Sequence, residues 1–320
     1  MVTMRLALVF LLAAFGNLAA AQSYPAKPIR WIAPFPPGGP VDLLARTVGQ
    51  KLSEAWSQPV IVDNRAGAAG NLGVEAGAKS PPDGYTLVIV PTGNIVVNPT
   101  LFPKLGYKQS DLAPVTMLAT VENVLVVHPA VPASSMSELV AHAKANPGKL
   151  TFASPGAGAQ AHLAGELVKL SAGIEMVHVP YKGIGPALND LLGGQVSMMF
   201  SQLSSALPHV RSGKLRAIGM ASLKRSPVMP ELPTIAEQGF PGFEAVSWYA
   251  LMVPAGTPQE VIAKLHAETS RILKLAEVRE KLAGLGAEPV GNSPQELAAT
   301  IANESARWAD VIRRQGIKAE

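Results

Sequence analysis

Two glycine-rich loops, each placed between a short apolar strand and a helix, are the segments of this chain best suited to chemistry. The first loop, residues 34–40, follows the strand at residues 29–33; the second, residues 154–158, follows the strand at residues 150–153. The first turn of a helix leaves backbone N–H groups unpaired at the positive end of the helix dipole, which favours an anion. Two such corners predict a carboxylate site held between two lobes.

The first corner has a clear helix start. Pro40 suits the first helical position, which makes Gly39 the predicted N-cap and leaves the N–H groups of Gly39, Val41 and Asp42 free for a ligand. The Asp42 carboxylate would repel an anion, so we expect it to cap its own helix beside Arg46, four residues on. A purely structural turn is the alternative, because proline and glycine occur in many α/β loops.

The second corner offers side chains as well as backbone. Ser154, Gln160 and the amides of Gly158 and Ala159 are its predicted donors, and its helix is expected to begin at about Ala159. Glycine allows a ligand to approach the backbone closely. The segment also matches G-x-G-x-x-A, with Glu175 near the spacing of a ribose-binding acid. That dinucleotide signal is weak, and export of the chain argues against an intracellular cofactor.

Two further loops follow strands and carry polar groups. Thr92-Gly93-Asn94 could orient a bound group, although a simple turn explains it equally well. Tyr181-Lys182-Gly183 combines a stacking face with a positive charge, although a loop lysine is commonly just solvated. Ser201, at the end of a strand, is a weaker candidate. Ligands of parallel α/β sheets bind beyond the carboxyl ends of the strands, where all these loops lie.

Composition and the N-terminus exclude several classes of protein. Residues 1–21 have a positive start, an apolar run and an Ala19-Ala20-Ala21 cleavage site, which predict a signal peptide and a periplasmic protein. The chain has no cysteine, a net charge of +4 and no basic stripe with interleaved aromatics, which argues against thiolate chemistry and nucleic-acid binding. Histidine spacing predicts no metal site, no acid/base pair can be nominated, and no cofactor is expected. We expect a binding protein and not an enzyme.

The mature chain reads as alternating strands and helices, which predicts an α/β fold. A βαβαβ order spans residues 29–90 and returns at residues 150–200. Strands 115–118 and 124–127 are expected to bridge two open lobes, and strand 215–221 to return the chain to the first lobe, giving a two-strand hinge. We therefore predict one lobe from residues 22–121 and 222–320, and a second from residues 122–221. Two C-terminal helices should open at Thr257-Pro258-x-Glu260 and Ser293-Pro294-x-Glu296.

Several longer motifs resemble the substrate-binding proteins of tripartite tricarboxylate transporters, the Bug family of periplasmic receptors. The matching stretches run through almost the whole mature chain and are Phe35-Pro36-Pro37-Gly38-Gly39-x-x-Asp42-x-x-Ala45-Arg46, Asn64-Arg65-x-Gly67-Ala68-x-Gly70-Asn71, Pro81-Pro82-Asp83-Gly84-Tyr85-Thr86-Leu87, Val179-Pro180-Tyr181-Lys182-Gly183, Leu188-Asn189-Asp190-Leu191-Leu192-Gly193-Gly194-Gln195-Val196 and Val253-Pro254-Ala255-Gly256-Thr257-Pro258. Each motif is weak alone, but together they are specific.

The resemblance implies a type II periplasmic-binding-protein fold and a small carboxylate held by amides and waters of the two corners. Carried onto this chain, the contacts are Phe35, Pro37, Gly38 and Gly39 in one lobe, and Ser154, Gly156, Gly158 and Gln160 in the other. This chain has Ala159 where the family usually has Ser or Thr, and Ser197 where it often has Asp. The first difference removes a hydroxyl from the second helix start.

The expected function is a monomeric periplasmic receptor that closes around a carboxylate and delivers it to a membrane permease. Discrimination among ligands is expected from residues around Thr92, Asn94, Tyr181 and Ser201. Two other functions stay open: an exported hydrolase using Ser154 and His162, and a receptor for a membrane signalling protein. His162 lies in the first helical turn, where we expect it to be packed. The sequence does not name the carboxylate.

Overall fold

A computed structural model describes residues 24–318, so the predicted signal peptide lies outside the described residues. The strands are β1 Ile29–Ala33, β2 Val60–Asn64, β3 Thr86–Pro91, β4 Leu112–Val121, β5 Asn123–Val127, β6 Thr151–Ser154, β7 Val177–Pro180, β8 Met198–Gln202, β9 Arg216–Met220, β10 Ser247–Pro254 and β11 Ala287–Pro289. They form two sheets, which confirms the predicted α/β class.

Helices connect these strands. They are α1 Pro40–Trp56, α2 Asn71–Ala78, α3 Asn98–Leu101, α4 Met136–Ala145, α5 Gln160–Ala172, α6 Ile184–Leu192, α7 Leu203–Arg211, α8 Gln259–Leu273, α9 Ala276–Gly284 and α10 Pro294–Gln315. A π-helical turn, Gly93–Val97, precedes α3. Among the described residues, no helix combines the length and apolar character that a membrane crossing requires.

The first sheet has six strands in the order β11-β4-β10-β3-β1-β2. Strand β1 pairs in parallel with β2 on one side and β3 on the other. The chain therefore leaves β1 at a topological switch point, where α/β sheets bind ligands. Fully buried Trp31 and Ile32 anchor this strand between helices on both faces, as expected for a continuous apolar run.

The second sheet repeats this arrangement. Its order is β7-β6-β8-β5-β9, and β6 pairs in parallel with both β7 and β8. Strand β6 is thus a second switch point, and its fully buried Phe152 packs into the core below the second corner. The two predicted βαβαβ units are confirmed, and each places its corner after its central strand.

The chain crosses between the two sheets in two neighbouring segments, one at Glu122 and one between β9 and β10, which we call the crossing segments. Strands β4 and β5 are separated by Glu122 alone. Beside them, the Ala221 N–H donates to the Asn123 carbonyl at 2.8 Å, and the Asn123 side chain donates to the Ala245 carbonyl at 2.7 Å. The predicted return through strand 215–221 was wrong, because β9 stays in the second sheet and pairs with β5. The chain returns later, through a long connection into β10.

The two capping signals near the C-terminus have different outcomes. The Ser293 hydroxyl accepts from the Glu296 N–H at 3.2 Å, and the Glu296 carboxylate accepts from the Ser293 N–H at 2.8 Å, which confirms that capping box. The predicted cap at Thr257 was wrong. Its hydroxyl donates to the Pro254 carbonyl at 2.7 Å, and α8 begins one residue after Pro258 without a side-chain cap.

Close packing of α2 on β3 yields a first prediction. A Cβ atom at Gly77 would lie 2.1 Å from Val88 Cγ2 in the core, so Gly77→Ala forces the helix away from the sheet. We expect a net loss of about 1–2 kcal/mol, because overpacking costs about 1–3 kcal/mol and alanine returns up to about 1 kcal/mol of helix propensity. Urea unfolding of a protein spanning residues 22–320 measures this.

Gly284→Ala is the matched control for that change. Gly284 also lies in a helix, but no atom lies within 4 Å of an added Cβ there. The control should be neutral or slightly stabilising. Equal stabilities for both variants would contradict the packing assigned to Gly77.

Candidate functional site

The two corners face one cavity of about 810 Å³. Loops from both sheets line it, including the loops that follow β1, β3, β6 and β7. Ten of the thirteen residues predicted for the site line this cavity, namely Phe35, Pro37, Gly39, Thr92, Asn94, Gly156, Gly158, Gln160, Tyr181 and Lys182. The rule that parallel sheets bind ligands beyond their carboxyl edges therefore located the cavity.

The first corner has the geometry expected from its proline and glycine. Helix α1 begins at Pro40 with Gly39 as its N-cap, and glycine supplies no side-chain acceptor. Among the described residues, no acceptor takes the N–H groups of Gly39, Val41 or Asp42. These are the amides that the sequence predicted to be free, and they lie at the start of a 17-residue helix.

Asp42 holds this corner from behind. Its buried carboxylate accepts from the Gly38 N–H at 2.9 Å, from Arg46 at 3.0 Å and from the Asn64 amide at 2.9 Å. Burial raises the pKa of Asp42, but these hydrogen bonds outweigh burial and hold the pKa below its usual range. The expected pairing of Asp42 with Arg46 is confirmed, but the expected cap was wrong, because the carboxylate accepts from Gly38, which precedes the N-cap, and, among the described residues, from no amide of its own helix.

The second corner uses an equivalent arrangement with an imidazole in place of the carboxylate. The Gly158 N–H donates to Nδ1 of His162, four residues on, at 3.2 Å. The Ala159 N–H donates to the Gly156 carbonyl at 3.2 Å. The two amides expected to serve a ligand are therefore already paired. The N–H groups of Gln160, Ala161 and His162, in the first turn of the helix, have no acceptor among the described residues.

The N-cap of this second helix is Ala159, which has no side-chain acceptor. Both corners thus share the same property: a cap residue that cannot pair the first amides of its own helix. A serine at this position would offer its hydroxyl to those amides. Alanine leaves them without a side-chain acceptor, and Gln160 and Ala161 line the cavity.

Three predicted contacts, Gly38, Ser154 and Ser201, do not line the cavity, and their polar groups are hydrogen-bonded within the protein. The Gly38 N–H is paired with Asp42, as described above. The Ser154 hydroxyl is fully buried and lies 2.7 Å from Nε2 of His178. The buried Ser201 hydroxyl donates to the Gln202 carbonyl at 3.2 Å.

The polar side chains after β3 are also tied into the protein. The Thr92 hydroxyl donates to the Trp248 carbonyl at 2.8 Å and accepts from the Trp248 N–H at 2.7 Å. Asn94 donates to the Ala69 carbonyl and to Oδ1 of Asn71, at 3.0 and 2.8 Å. Thr92 fixes β10 against β3, so its hydroxyl is not available to orient a ligand.

The loop after β7 carries the positive charge of the site. Lys182 is exposed at the cavity edge. Among the described residues that line the cavity, it is the one with a cationic side chain. No acidic side chain lines the described part of that surface. Tyr181 donates to the Asp190 carboxylate at 2.7 Å, and burial together with this bond raises the pKa of Tyr181 to about 12.

Unpartnered amide groups border the cavity. Both polar atoms of Gln160, Oδ1 of Asn98 and Oε1 of Gln202 are buried and have no hydrogen-bond partner among the described residues. A buried polar atom without a partner costs about 1–3 kcal/mol, so such atoms mark where a ligand or water binds. Gln160 was predicted from the sequence. Asn98 and Gln202 were missed, although Gln202 ends β8 two residues beyond the predicted strand end.

The lobes meet across the cavity. A Cβ atom on Gly93 would lie 2.5 Å from the Gly158 carbonyl oxygen, and one on Gly158 would lie 2.4 Å from Oδ1 of Asn98. Gly93 and Asn98 belong to the first lobe and Gly158 to the second. The glycines therefore allow a backbone contact between the lobes that a larger residue would prevent.

The hydrolase hypothesis does not fit the positions of its two residues. His162 is buried and stacks on His178, with ring centroids 3.9 Å apart, and its Nδ1 atom accepts from Gly158. Ser154 is bonded to His178 instead, and it is fully buried beneath the cavity. A nucleophile must reach its substrate, and this hydroxyl does not.

Two sheets that each present a switch-point corner to a shared cavity define a two-lobed, type II periplasmic binding protein. Residues 44–317 match the tripartite tricarboxylate transporter family receptor, TctC. The chain belongs to this family, which confirms the resemblance drawn from its motifs.

Similar proteins and solved structures support the same family assignment. Protein BugT of Bordetella pertussis is 42% identical over 321 residues, covering 99% of this chain and 98% of BugT. R. palustris Rpa4515 with adipate has a TM-score of 0.85 at 36% identity, covering 93% of this chain and 100% of that one. MatC of Rhodopseudomonas palustris with bound malate has a TM-score of 0.80 at 34% identity, covering 90% and 100%.

The histidine stack yields a second prediction. Burial, together with the His178 and Lys169 charges, lowers the pKa of His162 to about 3, and burial lowers the pKa of His178 to about 4. Because the unfolded chain binds these protons first, stability falls as pH drops from about 6.5 toward these values. We expect a loss of roughly 2 kcal/mol per histidine between pH 7 and 5.

His178→Phe should keep the stacking and remove part of this acid sensitivity. Thermal melts at pH 7 and pH 5 measure the difference. His142→Phe, in helix α4 and outside the stack, is the control and should melt with the acid sensitivity of the parent protein. An equally acid-sensitive His178→Phe protein would contradict the role given to the stack.

Proposed function

We propose that this chain is a periplasmic receptor that captures a small carboxylate between its lobes and delivers it to a membrane permease. One observation carries the proposal: two helix N-termini, one from each sheet, present unpaired amides to a single cavity. The amides are those of Gly39 and Val41 in one lobe and of Gln160 and Ala161 in the other. Each helix start attracts negative charge through its amides and its dipole.

The electrostatics of the cavity support an anionic ligand. Lys182 contributes a positive charge, and no acidic side chain lines the described surface. The relatives fit this chemistry, because the solved Rpa4515 and MatC structures contain adipate and malate. The carboxylate preference comes from backbone groups, so it does not depend on any single ionisable side chain.

Lobe closure is the proposed mechanism. The ligand carboxylate binds the first corner in the open form, and contacts from the second corner then favour the closed form. The permease would recognise this closed state. We assign residues 22–121 and 222–320 to one lobe and residues 122–221 to the other, with export through a signal peptide over residues 1–21. A monomer without catalytic activity suffices for this role.

Thermal-shift melting of the mature protein against small carboxylates and their neutral amides tests the proposal. A ligand that binds the native state alone raises the melting temperature by mass action. We expect stabilisation by at least one acid and none by its amide. Equal stabilisation by both members of every pair, or by no acid in a broad panel, would count against a carboxylate receptor.

Blocking the contact between the lobes gives a third prediction. Gly93→Ala places a methyl group about 2.5 Å from the Gly158 carbonyl oxygen, which the closed form cannot accommodate. Gly93 does not have a positive φ, so alanine adds no backbone strain. We expect binding of the stabilising acid to weaken at least about tenfold, or 1.4 kcal/mol, by calorimetry.

Gly185→Ala is the matched control for this variant. Gly185 also lines the cavity, but no atom lies within 4 Å of an added Cβ. Its affinity should stay within about threefold of the parent protein. Unchanged affinity in Gly93→Ala would contradict closure through this contact.

A further inference from the structure

One wall of the cavity carries a hydrogen-bonded pair of side chains that belongs to neither corner. Gln202 ends β8 in the second sheet, and Tyr249 lies near the start of β10 in the first. The side-chain amide of Gln202 donates to the Tyr249 hydroxyl at 2.8 Å, and both residues are more than nine-tenths buried. Both line the cavity. We call this pair the hinge wall.

The hinge wall offers one free acceptor, Oε1 of Gln202, and one free hydroxyl proton, that of Tyr249. Nε2 of Gln202 donates one of its two hydrogens to Tyr249, the second hydrogen has no acceptor among the described residues, and Oε1 of Gln202 is buried without a partner. The Tyr249 hydroxyl accepts from Gln202, and its own proton has no acceptor among the described residues. Burial raises the pKa of Tyr249 to about 12, so the hydroxyl keeps its proton at neutral pH. A ligand that meets this wall can therefore both donate and accept.

The hinge wall lies away from the first corner and from the positive charge. In the first sheet, β10 is separated from β1 by β3, so two strand spacings, about 10 Å, lie between Tyr249 and the corner after β1. In the second sheet, β8 is separated from β7 by β6, which places the loop with Lys182 about 10 Å from the strand of Gln202. A ligand held by its carboxylate at the first corner presents its other end here.

Four kinds of distal group can be compared at this wall. A hydroxyl donates to Oε1 of Gln202 and accepts from Tyr249, so it pairs both free groups. An ammonium pairs Oε1 alone. A carboxylate pairs the Tyr249 proton and the second N–H of Gln202, but it also faces Oε1, acceptor against acceptor. A methyl group pairs neither, which leaves both buried groups unsatisfied.

We propose that Gln202 and Tyr249 select carboxylates that carry a neutral hydroxyl at the end distant from the bound carboxylate. This inference rests on the proposed carboxylate receptor and names the chemical class of its ligand. The two residues are specificity determinants and leave the capture of the carboxylate to the backbone corners.

A matched series of carboxylates tests this assignment by calorimetry. Hexanoate, ω-hydroxyhexanoate, ω-aminohexanoate and adipate share one chain and differ in the distal group, and the four-carbon series repeats the comparison. We expect the hydroxy acid to bind at least about tenfold more tightly than the methyl-ended acid in one of the two series, because it pairs both free groups.

Two variants separate the donor from the acceptor. Tyr249→Phe removes the hydroxyl donor. It should therefore weaken binding of the ω-hydroxy acid and the dicarboxylate and leave binding of the ω-amino acid unchanged. Gln202→Leu removes the acceptor together with the N–H donors of Gln202, so it should weaken binding of the hydroxy acid and the amino acid most and binding of the dicarboxylate least. Gln195→Leu, an exposed amide outside the cavity, is the control and should leave every ratio unchanged.

The outcomes distinguish this inference from the receptor proposal. Tightest binding of the dicarboxylate or the amino acid in both series, or a hydroxyl preference that survives both variants, overturns the hydroxyl assignment alone. Equal affinities for all acids of both series would also overturn the hydroxyl assignment alone. A series in which no carboxylate binds overturns the assignment, and the thermal-shift panel then decides whether the receptor proposal also fails.

Discussion

The amides in the first turn of a helix have no acceptor within that helix, and the site depends on where the chain leaves them unpaired. The N-caps of α1 and α5 are Gly39 and Ala159, neither of which can supply a side-chain acceptor. Both helices follow the central strand of a parallel trio, so the two sets of amides meet at one cavity. The sheets, the crossing segments and the close contacts between lobes all serve to bring these amides together.

Each corner is stabilised by a side chain four residues after its glycine, with different chemistry in each lobe. Asp42 accepts from Gly38 as a carboxylate held below its usual pKa, and His162 accepts from Gly158 as a neutral imidazole. Protonation weakens the acceptor in both cases: it removes the charge and part of the acceptor capacity of Asp42, and His162 protonated at Nδ1 can no longer accept. Acid therefore weakens both corners, and the bound carboxylate loses its own charge in the same direction of pH.

The sequence specified the two βαβαβ units well, because buried parallel strands are continuous apolar runs and the loops after them contain proline and glycine. It specified the partners of individual polar groups poorly. Ser154 and Thr92 follow strands as a ligand contact would, yet their partners, His178 and Trp248, are distant in sequence. Tyr249 lies near the start of an antiparallel strand. The rule about the carboxyl ends of parallel strands does not apply there, so no local signal could identify this residue.

This division between backbone and side chains has a consequence for specificity. A corner made of backbone amides requires only small residues and a helix start from the sequence. Such a corner recognises the carboxylate group, which all of these ligands share. The remainder of the ligand contacts side chains such as Gln202, which can change without disturbing a corner. Because the pair with Tyr249 joins strands from both sheets, it is complete only when the lobes are correctly placed. Recognition of the distal group and closure of the lobes are therefore coupled, and a ligand that leaves the hinge wall unpaired gains less from closing the protein.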